Sequence, residues 1–211
     1  MTATHRYIVP RPRGVTWAVG SREPHAARSL ILHLLAGAAE LPMDLPALGK
    51  RIGVGYPEEI AKLVLKLQRE SYLICELAPM AMPAQEPFSV AISDCLSRLA
   101  LSGTAVLATD GGLCYGRAGA SPDDSQLISS TAARMFAMRE RLRQAMRSSV
   151  ATADAVGATG AYVIEDLQLM PIHTGSRLFY LVTLGQPDLS NGAYVALVSM
   201  LLRRYQSHAT N

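Results

Sequence analysis

The stretch TAVLATDGGLCYGRAG, Thr104 to Gly119, constrains the fold more than any other part of this chain. A β-rich run, Thr104 to Ala108, meets Asp110-Gly111-Gly112, and a return run, Leu113 to Arg117, follows. Asp-Gly between apolar runs is among the strongest short hairpin signals, because glycine tolerates the positive φ that a tight turn demands. Glycines can also cradle a phosphate, but GxxxxGK[ST] is absent and no helix begins directly after them. The stretch reads as a turn in an antiparallel sheet.

Helices and further strands surround that hairpin. Phe88 to Leu101 carries Val90, Ile92, Leu96, Leu99 and Ala100, which predicts a helix facing a core, and Gly103 ends it. Ser121 can cap a long helix, with Pro122 at its first position and Asp123 and Asp124 matching its dipole. The helix is expected to run to about Met146, with Leu127, Ile128, Met135, Met138 and Leu142 recurring on one side. Strands are expected at Val150–Val156, Ala161–Met170 and Leu178–Leu184, and a last helix at Gly192–Tyr205. The predicted order is αββαβββα.

The rest of the chain has a different character. With 211 residues, 49% apolar and 18% charged, a packed core is expected, in one large or two small domains. LAPMAMPAQEPF carries Pro79, Pro83 and Pro87, which disfavour helix, so it reads as a linker between residues 21–80 and 86–207. The first twenty residues, with Arg6, Arg11 and Arg13 among Pro10, Pro12 and Gly14, read as an extended basic arm with a short strand at Tyr7 to Val9. Between arm and linker the pattern is helix, short helix capped by Asp44, a Gly53–Gly55 turn, a helix from Pro57, and a strand over Ser71 to Leu77.

Charge narrows the partners. Residues 1–84 hold ten Lys and Arg against seven Asp and Glu, and the remainder holds ten of each, so the whole net charge of +3 lies on the first half. Lys62, Lys66 and Arg69 fall on one helix face, with Lys50 and Arg51 on the preceding helix. A DNA-binding reading would use these five residues. Glu58 and Glu59, at the end that would meet base edges, oppose it, and a solvated face with Glu–Lys pairs is the plainer account. On the long helix, Arg134 and Arg141 share a face suited to an acidic partner, and a solvated helix surface is again the plainer account. Phe136 points away from the Met135–Met138–Leu142 stripe, which makes Phe136 the better dimer-interface candidate and leaves Met135 and Met138 stronger as core.

No catalytic set emerges. The five histidines are dispersed without HxxxH, and the three cysteines, Cys75, Cys95 and Cys114, lack CxxC spacing. The expectation is therefore a non-enzymatic chain with no metal, no cofactor and reduced cysteines. With no leader-like start and no apolar run of membrane-spanning length, it is expected to be cytoplasmic.

Two resemblances follow from these residues. The pattern over residues 21–80 resembles a winged helix, a fold that serves DNA binding or protein docking. LSRLALSGTAVLATDGGLCYG, TAARMFAMRERL, LFYLVTLG and the closing helix resemble the roadblock family of dynein light-chain relatives and bacterial small-GTPase regulators. The resemblance implies an α+β fold: a winged-helix-like domain followed by a roadblock-like αββαβββα domain with a five-stranded antiparallel sheet. It also implies a non-enzymatic homodimer, with Met135, Phe136 and Met138 at the interface. The implied partner is a protein, such as a small GTPase or signalling component, and nucleic acid is the alternative.

Overall fold

The structure, a computed structural model, describes residues 5–80, 86–149, 162–164 and 166–206. Over the second half the order is α5 (Phe88–Ala100), β3 (Thr104–Thr109), β4 (Cys114–Ala118), α6 (Pro122–Ser149), β5 (Tyr162–Ile164), β6 (Leu167–His173), β7 (Leu178–Leu184) and α7 (Gly192–Gln206). The strands form one antiparallel sheet in the order β4-β3-β7-β6-β5. Side chains alternate between its faces. Val106, Ala108, Leu169, Tyr180 and Val182 face α6, while Leu107, Met170, Ile172, Phe179 and Leu181 face α5 and α7.

Local chemistry sets these elements. The Ser121 hydroxyl accepts from the Asp124 amide at 3.1 Å and donates to the Asp124 carboxylate at 2.6 Å, a reciprocal cap with Pro122 at the first helical position. At the hairpin, the Gly112 amide donates to the Thr109 carbonyl at 2.9 Å, and the Thr109 amide donates to the Leu113 carbonyl at 2.9 Å. The positive φ falls on Gly112, at +79°, and Gly111 is not among the positive-φ glycines. The loop is thus three residues long with a left-handed glycine at its end. Gln126 of α6 pins it: its side-chain amide donates to the Gly112 carbonyl at 2.9 Å and its oxygen accepts from the Cys114 amide at 3.2 Å.

Several sequence expectations need correction. The run Ala161 to Met170, predicted as one strand, is divided between β5 and β6, with Ile164 paired to Leu167 across a tight reversal beside Asp166, a poor strand former. The strand expected at Val150–Val156 lies outside the described residues. Val90, expected toward the core, is exposed; Ala91, Ile92, Cys95, Leu96 and Leu99 form the inward face of α5.

Within the expected extended arm, residues 1–20, the described residues 5–20 are not extended throughout. They fold as β1 (Tyr7–Pro10) and α1 (Pro12–Val19). Pro12 sits in the first turn of α1, and Val15, Ala18 and Val19 recur at helical spacing and are buried. The close packing depends on Gly14, where an added Cβ would lie 2.4 Å from the Tyr72 carbonyl oxygen. After α1 come α2 (Ala26–Leu35), a single 3-10 turn, α3 (Leu45–Ile52), α4 (Pro57–Arg69) and β2 (Leu73–Glu76). Asp44 caps α3 by accepting from the Ala47 amide at 3.0 Å. The winged-helix expectation placed β2 in a wing. Instead β2 pairs antiparallel with β1, from Tyr7 opposite Glu76 to Pro10 opposite Leu73. Among the described residues β2 has no return strand, and its partner there is β1.

The N-terminal elements share a core with the sheet. Ile8, Leu30 and Ile60 belong to the same apolar cluster as Leu96, Leu181 and Leu197. The apolar sides of α7 are accounted for by this arrangement: it packs on α5 and also against α1 and α2. The Ser199 hydroxyl donates to the Leu35 carbonyl, and Arg203 pairs with Glu40.

Candidate docking face on the long helix

The inward face of α6 is made of small residues. Ser125, Ser129, Ala132 and Phe136, at i, i+4, i+7 and i+11, are buried against the sheet. The serines tolerate burial because each hydroxyl bonds back to its own helix, Ser125 to the Pro122 carbonyl and Ser129 to the Ser125 carbonyl, both at 2.8 Å. Phe136 is 8% exposed and lies parallel to Tyr180, with ring centroids 4.2 Å apart and planes 5° from parallel. This reverses the sequence expectation. Phe136 is core rather than an outward interface residue, and Met135 is half-buried beside it.

The opposite side of α6 carries an unburied apolar stripe. Leu127, Met138 and Leu142 are 66%, 62% and 57% exposed. Arg134 and Arg141 fall within the same stripe and are exposed, and among the described residues no ion pair holds either one. A helix of 28 residues is about 42 Å long at 1.5 Å per residue, whereas a seven-residue strand spans about 23 Å. The helix outruns the sheet, and after Phe136 its described residues are exposed except half-buried Arg139. By spacing, the sequence puts Leu127, Ile128, Met135, Met138 and Leu142 on one side and favours core for Met135 and Met138; Ile128 and Met135 are half-buried, whereas Leu127, Met138 and Leu142 are exposed.

The five residues of the DNA-binding reading all lie on the surface. Lys62, Lys66 and Arg69 line the outer side of α4, opposite buried Ile60, Val64 and Leu67. Among the described residues none of the three is ion-paired to Glu58 or Glu59. Lys50 and Arg51 end α3. Arg51 lies beside His33, where burial first and then the Arg51 charge push the imidazole below its ordinary range.

Sequence reading missed a contact between the two halves. The Arg22 Nε–H donates to His173 Nδ1 at 3.0 Å, joining the segment before α2 to the end of β6. Residues 151 apart leave no local signal for it. Nδ1 must be unprotonated to accept, and burial, then the charges of Arg22 and Arg28, depress the His173 pKa to about 4. The unfolded imidazole titrates near 6.5, so both states are neutral at pH 8. As pH falls from about 6.5 toward about 4 the unfolded chain takes the proton and the folded chain does not. Stability is therefore expected to fall through that window by about 1–2 kcal/mol, after discounting for partial solvent screening. Urea unfolding of the chain and of His173→Gln at pH 7.5 and 5.0 checks this: the substitution should flatten the slope.

Among the described residues no group of three His, Cys, Asp or Glu side chains gathers as metal ligands would, and no helix is long and apolar enough to cross a membrane.

Solved structures similar to this chain include the following three. The roadblock/LC7 domain from Streptomyces avermitilis is 19% identical, with a TM-score of 0.38, over 57% of this chain and 95% of that one. Myxococcus xanthus MglB is 16% identical, with a TM-score of 0.37, over 62% and 98%. The gliding protein MglB from Thermus thermophilus is 14% identical, also at 0.37, over 61% and 98%. No family model and no curated protein matches the chain.

Proposed function

We propose that the chain is a non-enzymatic, dimeric regulatory adaptor whose second half is a roadblock-type domain. Its protein partner is a small GTPase or another signalling component. The observation that carries this reading is the outer stripe of α6, where Leu127, Met138 and Leu142 stand exposed beside Arg134 and Arg141, neither of them ion-paired among the described residues. Scattered exposed apolar residues are ordinary, but a continuous helical stripe signals a covering surface. The other face of the sheet is already occupied, since α5 and α7 lie on it and α1 and α2 cover α7. Contacts with another molecule therefore fall on the α6 side and on the sheet edges. There the apolar positions serve self-association, and the two guanidiniums serve an acidic partner.

The test is light scattering on the purified chain, followed by binding to small GTPases loaded with each nucleotide. A dimer is expected. Arg134→Gln with Arg141→Gln, which removes charge without adding an acid beside Met138, is expected to weaken partner binding about tenfold or more, as charge pairs at interfaces steer association. A chain that stays monomeric at all concentrations overturns the dimeric reading.

A second reading, a DNA-binding regulator dimerised by the same domain, draws support from Lys62, Lys66 and Arg69 on α4, which are exposed and not ion-paired among the described residues. The exposed Glu58 and Glu59 at the start of that helix count against it. Duplex DNA titrated at two salt concentrations separates the readings, because phosphate contacts make affinity fall steeply with salt.

A further inference from the structure

Away from α6, four aromatic rings gather where α5 begins, β7 begins and α7 ends. Phe88 meets Tyr115 with centroids 6.3 Å apart, Tyr115 meets Phe179 at 5.4 Å, and Phe179 meets Tyr205 at 5.3 Å. The hydroxyls of Tyr115 and Tyr205 are 2.5 Å apart. Two arginines close over this cluster. The Arg204 guanidinium lies 4.4 Å from the centre of the Phe88 ring, and that of Arg177 lies 5.5 Å from the centre of Tyr205. Among the described residues neither is ion-paired to a carboxylate. Arg203, one residue away on α7, does have an acidic partner in Glu40.

We propose that Arg177, Arg204 and the Tyr115–Tyr205 hydroxyl pair form a binding site for a phosphate-type dianion.

Two charges that no carboxylate among the described residues neutralises set the ligand's sign and size. Both arginines are exposed, and guanidinium N–H edges match the oxygens of phosphate in a forked geometry. In a phenol pair sharing one hydrogen bond, one hydroxyl donates to the other, and the second hydroxyl hydrogen is left to donate outward. The site thus presents two cations and one neutral donor, which suits a tetrahedral dianion better than a monoanionic carboxylate. Both arginine charges act on the Tyr115 phenol: burial first, then the bond to Tyr205, push it up to about 12, while Arg204 and Arg177 pull it the other way. The cluster joins four elements, α5, β4, β7 and α7, that are distant in sequence, so packing rather than a local motif assembles it. This inference is independent of the proposed adaptor role, since none of these residues lies on α6.

The experiment titrates the full chain with inorganic phosphate at constant ionic strength, following the tyrosine signals by NMR. A phosphoserine peptide and its unphosphorylated form make a second arm. Saturable shifts of Tyr115 and Tyr205 with phosphate, unmatched by chloride, are expected. Arg177→Gln with Arg204→Gln should weaken binding about tenfold or more. Tyr205→Phe, which preserves the ring packing, should weaken it by a smaller factor. Tighter binding of the phosphopeptide than of phosphate would identify a group carried on a partner, and equal binding would identify the free ion. Shifts that do not saturate, that chloride reproduces, or that survive the double arginine substitution would overturn the site.

Discussion

Gly103→Ala is expected to leave little folded protein. Gly103 lies between α5 and β3, and an added Cβ would sit 2.2 Å from the Leu184 carbonyl oxygen and 3.3 Å from its carbon. Both atoms are backbone, so no rotamer change relieves the clash. Leu184 is opposite Thr104 in the β3–β7 register and opposite Leu167 in the β6–β7 register, so moving it disturbs two strand pairs. Gly119 closes the third side: its own added Cβ would lie 2.2 Å from the Gly103 carbonyl, and its carbonyl accepts from the Thr104 hydroxyl at 3.0 Å. Overpacking of a core commonly costs about 1–3 kcal/mol, and a clash among fixed backbone atoms belongs to the rarer range above about 4 kcal/mol. That is a large part of the roughly 5–15 kcal/mol that holds a typical domain together. Two controls isolate the cause. Gly53 has φ +75° and open space around it, so Gly53→Ala should cost only about 1 kcal/mol from backbone strain. Gly55 has open space and no positive φ, so Gly55→Ala should be close to neutral. Urea midpoints for the three variants check the order, and a Gly103→Ala midpoint close to that of Gly55→Ala would contradict the packing described for this corner.

The parts of this fold that were legible in the sequence are those with local causes. The hairpin could be read because Asp110-Gly111-Gly112 must turn, and the start of α6 because Ser121, Pro122 and the two aspartates satisfy a helix end. The long-range partners were not legible. Nothing near Tyr7 indicates that its strand will take the edge beside Leu73–Glu76, and that pairing removes the wing from the winged-helix expectation. The basic residues of the first segment concealed the Val15, Ala18, Val19 spacing, because charge and proline were weighed above periodicity. The inward face of α6 was misread for a related reason. Hydropathy favours the side bearing methionine and leucine, but close approach of helix to sheet favours small residues, and serines that bond to their own helix count as small rather than polar. The candidate site was legible as a set of residues with shared spacing. Which side of the helix faced outward depended on the sheet beneath.

That reversal makes the second large effect a contrast between two residues on one helix. Phe136→Ala removes a buried ring stacked on Tyr180 and leaves a void between α6 and the sheet. Truncations of this kind cost about 3–5 kcal/mol, and the surrounding Ala132, Val182 and Leu169 leave little that could collapse inward. Met138→Asp alters a side chain that is 62% exposed, and its effect on monomer stability should stay within about 0.5 kcal/mol. If the outer stripe of α6 is where two copies meet, the same aspartate places an unpaired charge in an apolar contact and should weaken the dimer about tenfold or more, with Leu142→Asp acting alike. Chemical denaturation measured in parallel with sedimentation separates the two roles. Phe136→Ala should shift the unfolding midpoint strongly, and Met138→Asp should shift the association constant with the midpoint of the dilute monomer unchanged. Loss of monomer stability on Met138→Asp, or its retention on Phe136→Ala, would mean that α6 sits on the sheet by the other face. A dimer insensitive to both Met138→Asp and Leu142→Asp would move the self-association surface off this stripe to the exposed edges of the sheet, where unpaired strand groups offer the alternative contact.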